Sequence, residues 1–252
     1  MSTSESHSDT GINAHASART TNTGDTTDTQ TGSDTNMVSH LHTDSSDDES
    51  KELSDIPTEI SHFFAYMYRL KHIERWSLMR NTTRDNVAEH SFHVAMTTHM
   101  LCTIANVVFG KAVNSGMAVT IALFHDATEV FTGDIPTPVK HHNPKILANF
   151  REIEHLAAER LISMIPAELQ PTYAALIDAK QEDELRQYVK AADLLDAYVK
   201  CAFELCAGNR EFAVAKRQTE QKLKQLAMPE VDYFLQKLAP SLEMTLDEMS
   251  NP

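Results

Sequence analysis

Between Pro57 and Pro136 the chain has no proline, and its only glycines there are Gly110, Gly116 and Gly133. Proline costs a helix interior about 3 kcal/mol and glycine about 1 kcal/mol. A stretch this long, free of proline and rich in Leu, Ala, Met, Glu and Arg, therefore favours long helices. The pattern predicts helices over residues 63–73, opened by Ser61 or His62, over 86–107 and over 116–131. Farther on, Phe150, Ile153, Ala157, Leu161 and Met164 share one helical face, with Arg151, Glu152, Glu159 and Arg160 opposite. Pro166 ends that helix and Pro171 opens a short one. Residues 182–206 form another long helix, stopped by Gly208, and Asn209 is placed to cap its successor. Alternating strand patterns are missing, so the expected fold class is all-α.

The first fifty residues differ in kind. They contain no Phe, Tyr, Trp or Lys, and nine carboxylates face one arginine, for −8 of the formal −14 net charge. Such a segment buries too little apolar surface to offset about 1–2 kcal/mol of backbone entropy per ordered residue. Residues 1–55 are therefore expected to be a disordered acidic tail, rich in Ser, Thr and Asp, and residues 56–252 a single folded domain. Outside the tail the charge is only mildly acidic. No basic face for a phosphate backbone is evident, so a nucleic acid polymer is not an expected partner. A transit peptide would be rich in Arg, and a secretory signal would need an apolar core after a basic start. No apolar run approaches the roughly 18 residues of a membrane span. Cys102, Cys201 and Cys206 form neither an even disulfide set nor a CxxC zinc pattern. They read as reduced, packed thiols of a cytoplasmic protein with no membrane partner. Beyond the tail the glycines lie too far apart for a phosphate-cradling loop, which argues against P-loop and Rossmann folds.

Chemistry concentrates in His125-Asp126-Ala127-Thr128-Glu129. On a continuous helix the adjacent His and Asp diverge by about 100°, yet both reach over one edge, and Glu129 shares that side. Taken alone, HDxxE also fits an ordinary polar stretch on a surface helix. Its neighbours Ile121, Ala122, Leu123, Phe124, Val130 and Phe131 argue for burial, where carboxylates beside a histidine need a partner or a cation. His90 and Asp193 are likewise flanked by small or apolar residues. Either alone reads as a satisfied core polar group, but the order His, His-Asp, Asp is harder to dismiss.

That order comes with Arg75-Trp76, the run from Met79-Arg80-Asn81 to Asn86, and Glu89-His90-Ser91. After Val130 follows Thr132-Gly133-Asp134-Ile135-Pro136-Thr137-Pro138-Val139-Lys140. Together these resemble the bacterial 5'-deoxynucleotidase branch of the HD-domain metallophosphohydrolases. The resemblance runs from about Ser61 to the C-terminus, includes Asp232-Tyr233-Phe234, and stops short of the acidic tail. It implies an HD-domain helical bundle in which His90, His125, Asp126 and Asp193 bind one divalent metal ion. It further implies that Arg75, Trp76, Asp134, Ile135, Pro136 and Thr137 hold a deoxynucleoside 5'-monophosphate, which His90 and Asp126 also touch. Glu129 would serve the proton transfers beside Arg75, and the protein would be a homodimer.

These residue types suit phosphate monoester hydrolysis, in which an anionic ester repels an anionic nucleophile. A divalent cation acidifies water and neutralises phosphoryl oxygens. Two His and two Asp leave positions open for water and phosphate, and a mixed nitrogen and oxygen set suits Co, Mn, Zn, Ni or Fe. Arg75 offers a planar fork matched to phosphate oxygens, although an arginine outside such a motif is more often in a surface ion pair. Trp76, otherwise a core aromatic, could form a wall of the sugar or base pocket. Asp134, otherwise a turn former, could accept from the sugar 3'-hydroxyl. His93, His99, His141 and His142 are expected to have no ligand role. Two rival readings remain: a hydrolase of tri- or cyclic nucleotides, which should want more basic residues than Arg75, Arg80, Arg84 and Lys140, and a non-catalytic nucleotide-binding module, which should have lost ligands.

Overall fold

The computed structural model describes residues 60–178 and 184–250. The expected acidic tail, the predicted start of a helix at residue 182 and the final two residues lie outside them. The described residues form helices joined by turns and loops, and the one pairing of extended backbone among them is an isolated antiparallel bridge, Glu74 with Asn86. The helices are α1 Phe63–Met67, α2 Val87–Val107, α3 Ser115–Phe124, α4 Glu129–Thr132, α5 Thr137–Lys140, α6 Pro144–Ser163, α7 Gln170–Ile177, α8 Glu184–Cys206, α9 Ala213–Gln225, α10 Pro229–Lys237 and α11 Leu246–Ser250.

Local chemistry accounts for most boundaries. Asn86 caps α2 by accepting from the backbone N–H groups of Ala88 and Glu89, and Asn143 caps α6 by accepting from Ile146. Gly208 takes a left-handed φ of 83° after α8, and Asn209 then caps the 3-10 turn Arg210–Phe212 that leads into α9.

Two predicted helices are corrected. The one over residues 63–73 ends at Met67 and tightens into the 3-10 turn Leu70–His72, because Ile73 must turn extended to offer its carbonyl to Val87 N–H at 3.1 Å. The one over 116–131 breaks after Phe124, and residues 125–128 form a turn before α4. There Ala127, Glu129, Val130 and Phe131 bond back only three residues, and the HD pair lies on that turn and not along a helix.

The core positions the break. Helix α2 packs against α3 and α8, burying Val94, Leu101, Cys102 and Ala105 with Ala118, Ile121 and Ala122 and with Tyr188, Ala191, Ala192 and Leu195. Alanines at these crossings let the backbones approach, which brings polar groups near the α2 start, the α3 end and the middle of α8 within reach of one another. A second apolar cluster joins Phe63, Ala127, Ala158, Leu161, Ile165 and Ile177, so Ala127 anchors the turn that carries His125 and Asp126. On α6 the inward residues are Ala157, Ala158 and Leu161, while Ile153 of the predicted apolar face stays exposed. Cys102 and Cys201 are packed as expected, but Cys206 is exposed, because it closes the last turn of α8.

Candidate active site

Arg75 is positioned by a short pairing of extended backbone. Its N–H donates to the Asp85 carbonyl at 2.9 Å, next to the Glu74–Asn86 bridge, and the Val87–Ile73 bond closes the pairing. The Arg75 side chain is thereby held beside the first turn of α2, which carries His90.

The break after α3 has a side-chain cause. His125 Nδ1 lies 2.7 Å from the Ala122 carbonyl, the acceptor that a continuing helix would give to the Asp126 N–H. A carbonyl only accepts, so Nδ1 carries the hydrogen and Nε2 keeps its lone pair. That Nε2 lies 3.3 Å from His90 Nε2 and 3.1 Å from Asp126 Oδ2.

His90 repeats the arrangement from α2. Its Nδ1 donates to Asp196 Oδ2 at 2.7 Å, while its Nε2 lies 3.3 Å from both Asp126 Oδ2 and Asp193 Oδ1. Donor atoms of His90, His125 and Asp193 all fall within 4.8 Å of one another. His90 is buried and Asp193 is 42% exposed, so the cluster opens to one side. Two helices and one turn therefore bring two imidazole nitrogens and two carboxylates together.

The electrostatics match a cation site. Burial alone would push the Asp126 and Asp193 carboxyls up, but contact with His125 and His90 outweighs it and holds both below the usual carboxylate range. Burial likewise lowers His90, and the surrounding Asp126, Asp193 and Asp196 more than reverse it. Glu129 goes the other way: burial, then the charges of Asp126 and Asp134, raise it to about 9, and its Oε2 is buried with no hydrogen-bond partner. It carries a proton at neutral pH.

Arg75 is nearly buried, and its Nη1 is shared by Asp85 Oδ2 at 2.9 Å and Asp196 Oδ2 at 3.2 Å. Among the described residues no side chain takes a hydrogen bond from its Nε or Nη2. Trp76 follows with φ of +56°, a left-handed conformation that bulky residues rarely adopt. It is held there by its N–H to Asp134 Oδ2 at 3.3 Å and by its carbonyl, which accepts from Asn81 Nδ2 at 3.1 Å and Met79 N–H at 2.9 Å. Its indole packs on Phe212, with ring centroids 5.4 Å apart, and its Nε1 is buried without a partner.

A cavity of about 810 Å³ lies against this group, lined by Arg75, Trp76, Asp134, Pro136, Thr137 and Asp193 among others. Ile135 does not line it. Gly133, with φ of +69°, turns the chain from α4 into this loop. Arg80 and Arg84 lie outside the cavity on the surface, paired with Glu211 and Glu74, and Lys140 pairs with Glu154.

Three residues absent from the sequence reading prove integral to the geometry. Asp85 and Asp196 grip Arg75, and the buried Glu204 binds the loop that follows Trp76. Asp196 had a signal, since it stands three residues after Asp193 and so faces the same side of α8. His93, expected to have no ligand role, has its Nδ1 3.5 Å from Asp196 Oδ1.

Residues 62–242 match the family described as 5'-deoxynucleotidase YfbR-like. A 5'-deoxynucleotidase of Enterobacter sp. (strain 638) is 49% identical over 191 residues, covering 75% of this chain and 96% of that protein. 5'-Deoxynucleotidase YfbR of Escherichia coli O1:K1 / APEC is 48% identical, again covering 75% and 96%. Among solved structures, an HD-domain phosphohydrolase from Listeria innocua superposes with a TM-score of 0.65 at 26% identity, covering 75% of this chain and 92% of that one.

Proposed function

Because the chain belongs to the 5'-deoxynucleotidase YfbR-like family, we propose that Arg75, His90, His125, Asp126, Glu129 and Asp193 form the centre that hydrolyses the 5'-phosphate of a deoxynucleoside monophosphate. The observation that carries this reading is the convergence of His90 Nε2, His125 Nε2, Asp126 and Asp193 beside the free edge of Arg75.

HD phosphohydrolases are metal-dependent, and the donor set here fits one divalent ion. Both Nδ1 atoms are engaged elsewhere, both Nε2 atoms face inward, and two carboxylates are held ionised. His90, His125, Asp126 and Asp193 would hold it, with Co, Mn, Zn, Ni and Fe all compatible. Such an ion supplies charge neutralisation at the phosphoryl group and an acidified water.

The chain's own residues supply the rest. Arg75 presents Nε and Nη2 to two phosphoryl oxygens, a fork that lysine could not reproduce. Glu129, buried beside Asp126 and Asp134, would give a proton to the departing 5'-oxygen and so spare the nucleoside from leaving as an alkoxide. His90 and Asp126 would lie beside the bound phosphate. Trp76 walls the sugar, and Asp134, with one oxygen committed to the Trp76 N–H, offers the other to the 3'-hydroxyl. Pro136 and Thr137 complete that side from the cavity lining, and Ile135, which does not line it, keeps its place in the loop between Asp134 and Pro136.

Arg80 and Arg84 are not part of the cavity lining and are each paired with a carboxylate, leaving Arg75 and Lys222 as its cationic lining. That favours one phosphate over three. The catalytic unit is residues 56–252. It works in the cytoplasm, in keeping with unpaired thiols, and as a homodimer, in keeping with the exposed Phe92, Met96 and Met100 along α2. No helix among the described residues is long and apolar enough to cross a membrane.

The test is phosphate release from a panel of ribo- and deoxyribonucleoside mono- and triphosphates, each with several divalent metals and with chelator. Deoxynucleoside monophosphates should dominate and chelation should abolish turnover. Preferential triphosphate cleavage, or full activity in chelator, would overturn the reading.

A further inference from the structure

The structure assigns Asp196 a role as the positioning residue that couples the metal-binding imidazole to the phosphate-binding guanidinium. Its single oxygen Oδ2 accepts from His90 Nδ1 at 2.7 Å and from Arg75 Nη1 at 3.2 Å, so one carboxylate fixes two functional groups that come from different parts of the chain. The His90 side chain is 1% exposed, which leaves its Nδ1 no access to water as a substitute for Asp196, itself 11% exposed.

The first consequence concerns His90. A carboxylate accepts only, so it holds hydrogen on Nδ1, sets the plane of the ring, and keeps the Nε2 lone pair directed at Asp126 and Asp193. The negative charge also makes the imidazole a better donor to a cation. The second concerns Arg75. Asp85 and Asp196 both hold Nη1, so the guanidinium cannot rotate its Nε and Nη2 edge away from the cavity. Asp85 touches Arg75 without touching His90, and this separates the two consequences by experiment.

The role rests on His90 being a metal ligand, and the experiment tells the two ideas apart. The full chain, stripped of metal, is titrated with Co²⁺ and followed by its visible absorption, in the parent, in Asp196→Asn and in Asp85→Asn. Asp196→Asn should weaken Co²⁺ binding about 10- to 100-fold, whereas Asp85→Asn should stay within about twofold. Both variants should raise KM for a deoxynucleoside monophosphate. Asp196→Asn binding cobalt like the parent, or Asp85→Asn weakening it equally, overturns the coupling. A parent that takes up no cobalt overturns the metal reading itself, and the role of Asp196 with it. Should Asp196→Asn not fold, nitrogen NMR of the ¹⁵N-histidine-labelled parent loaded with Zn²⁺ gives the answer. His90 should show a metal-bound Nε2 and a protonated Nδ1, and the reverse pattern overturns the role.

Discussion

Replacing Glu204 tests the loop that carries Arg75 and Trp76 without touching either. Glu204 is 1% exposed and accepts from the N–H groups of Thr82 at 2.9 Å and Thr83 at 3.2 Å, the Thr82 hydroxyl at 2.7 Å, Asn209 Nδ2 at 2.8 Å and Lys200 Nζ at 2.6 Å. Hydrogen bonds to a charged group are worth about 1.5–3 kcal/mol each and are not additive. The larger loss is that Lys200, whose side chain is 10% exposed, keeps a buried charge with only the Thr83 carbonyl and the face of the Phe212 ring to meet it. Breaking a buried pair on one side costs about 3–5 kcal/mol. Glu204→Ala should therefore lose about that much stability at pH 7, or roughly 6–20 °C in Tm for a domain of this size.

The sign with pH is also set. Burial alone would raise Glu204, but Lys200, Asn209 and Thr82 outweigh it and hold it well below its ordinary value of 4.5. A depressed carboxyl contributes its full stabilisation above 4.5 and loses it as pH falls toward the folded-state value. The gap between parent and Glu204→Ala should thus narrow in acid. Urea unfolding followed by circular dichroism at pH 7, 4.5 and 3.5 measures this, and KM should rise severalfold as the Trp76 loop loosens. A loss under about 1 kcal/mol at pH 7, or a gap that does not change with pH, would refute the reasoning.

Asp126→Ala should lose both bound metal and turnover; full metal content by elemental analysis would remove it from the ligand set. Glu129→Gln should lower kcat by about 10² while nucleotide still binds in equilibrium titration; near-normal turnover would end its role as proton donor. In the metal-free protein, Glu129 raised to about 9 favours the native state below 4.5 and progressively less as pH climbs toward 9, so parent Tm should fall across that window relative to Glu129→Gln. Trp76→Ala should raise kcat/KM on ribonucleotides relative to deoxyribonucleotides, since a 2'-hydroxyl pressed on the indole loses its water without gaining a partner; an unchanged ratio would free Trp76 of that duty. Deleting residues 1–50 should leave kcat/KM within about twofold, roughly 0.4 kcal/mol; a collapse would mean the tail reaches the site.

The sequence alone determined the all-α class, most helix ends and the chemical character of the site. Each of these depends on information that is local along the chain. Proline-free propensity, the caps Asn86 and Asn143, and the left-handed Gly208 act within a few residues, and His125-Asp126 is legible because a polar pair among Ile121, Ala122 and Phe124 contradicts its surroundings. Tertiary structure decided what those residues meet. Asp196 lies 106 positions from His90 and 121 from Arg75, and Glu204 lies 122 from Thr82, so their pairing follows from how α2, α8 and the Trp76 loop stack and not from any nearby pattern. On an uninspected helix such acids look like solvated surface. Trp76 makes the same point for the backbone: L-residues disfavour positive φ, and it is held there by Asp134, 58 residues away, together with Asn81 and Met79. Local preference sets what a segment tends to form, and contacts between distant segments override it wherever burying an unmet charge or an unpaired N–H would cost more than the strain.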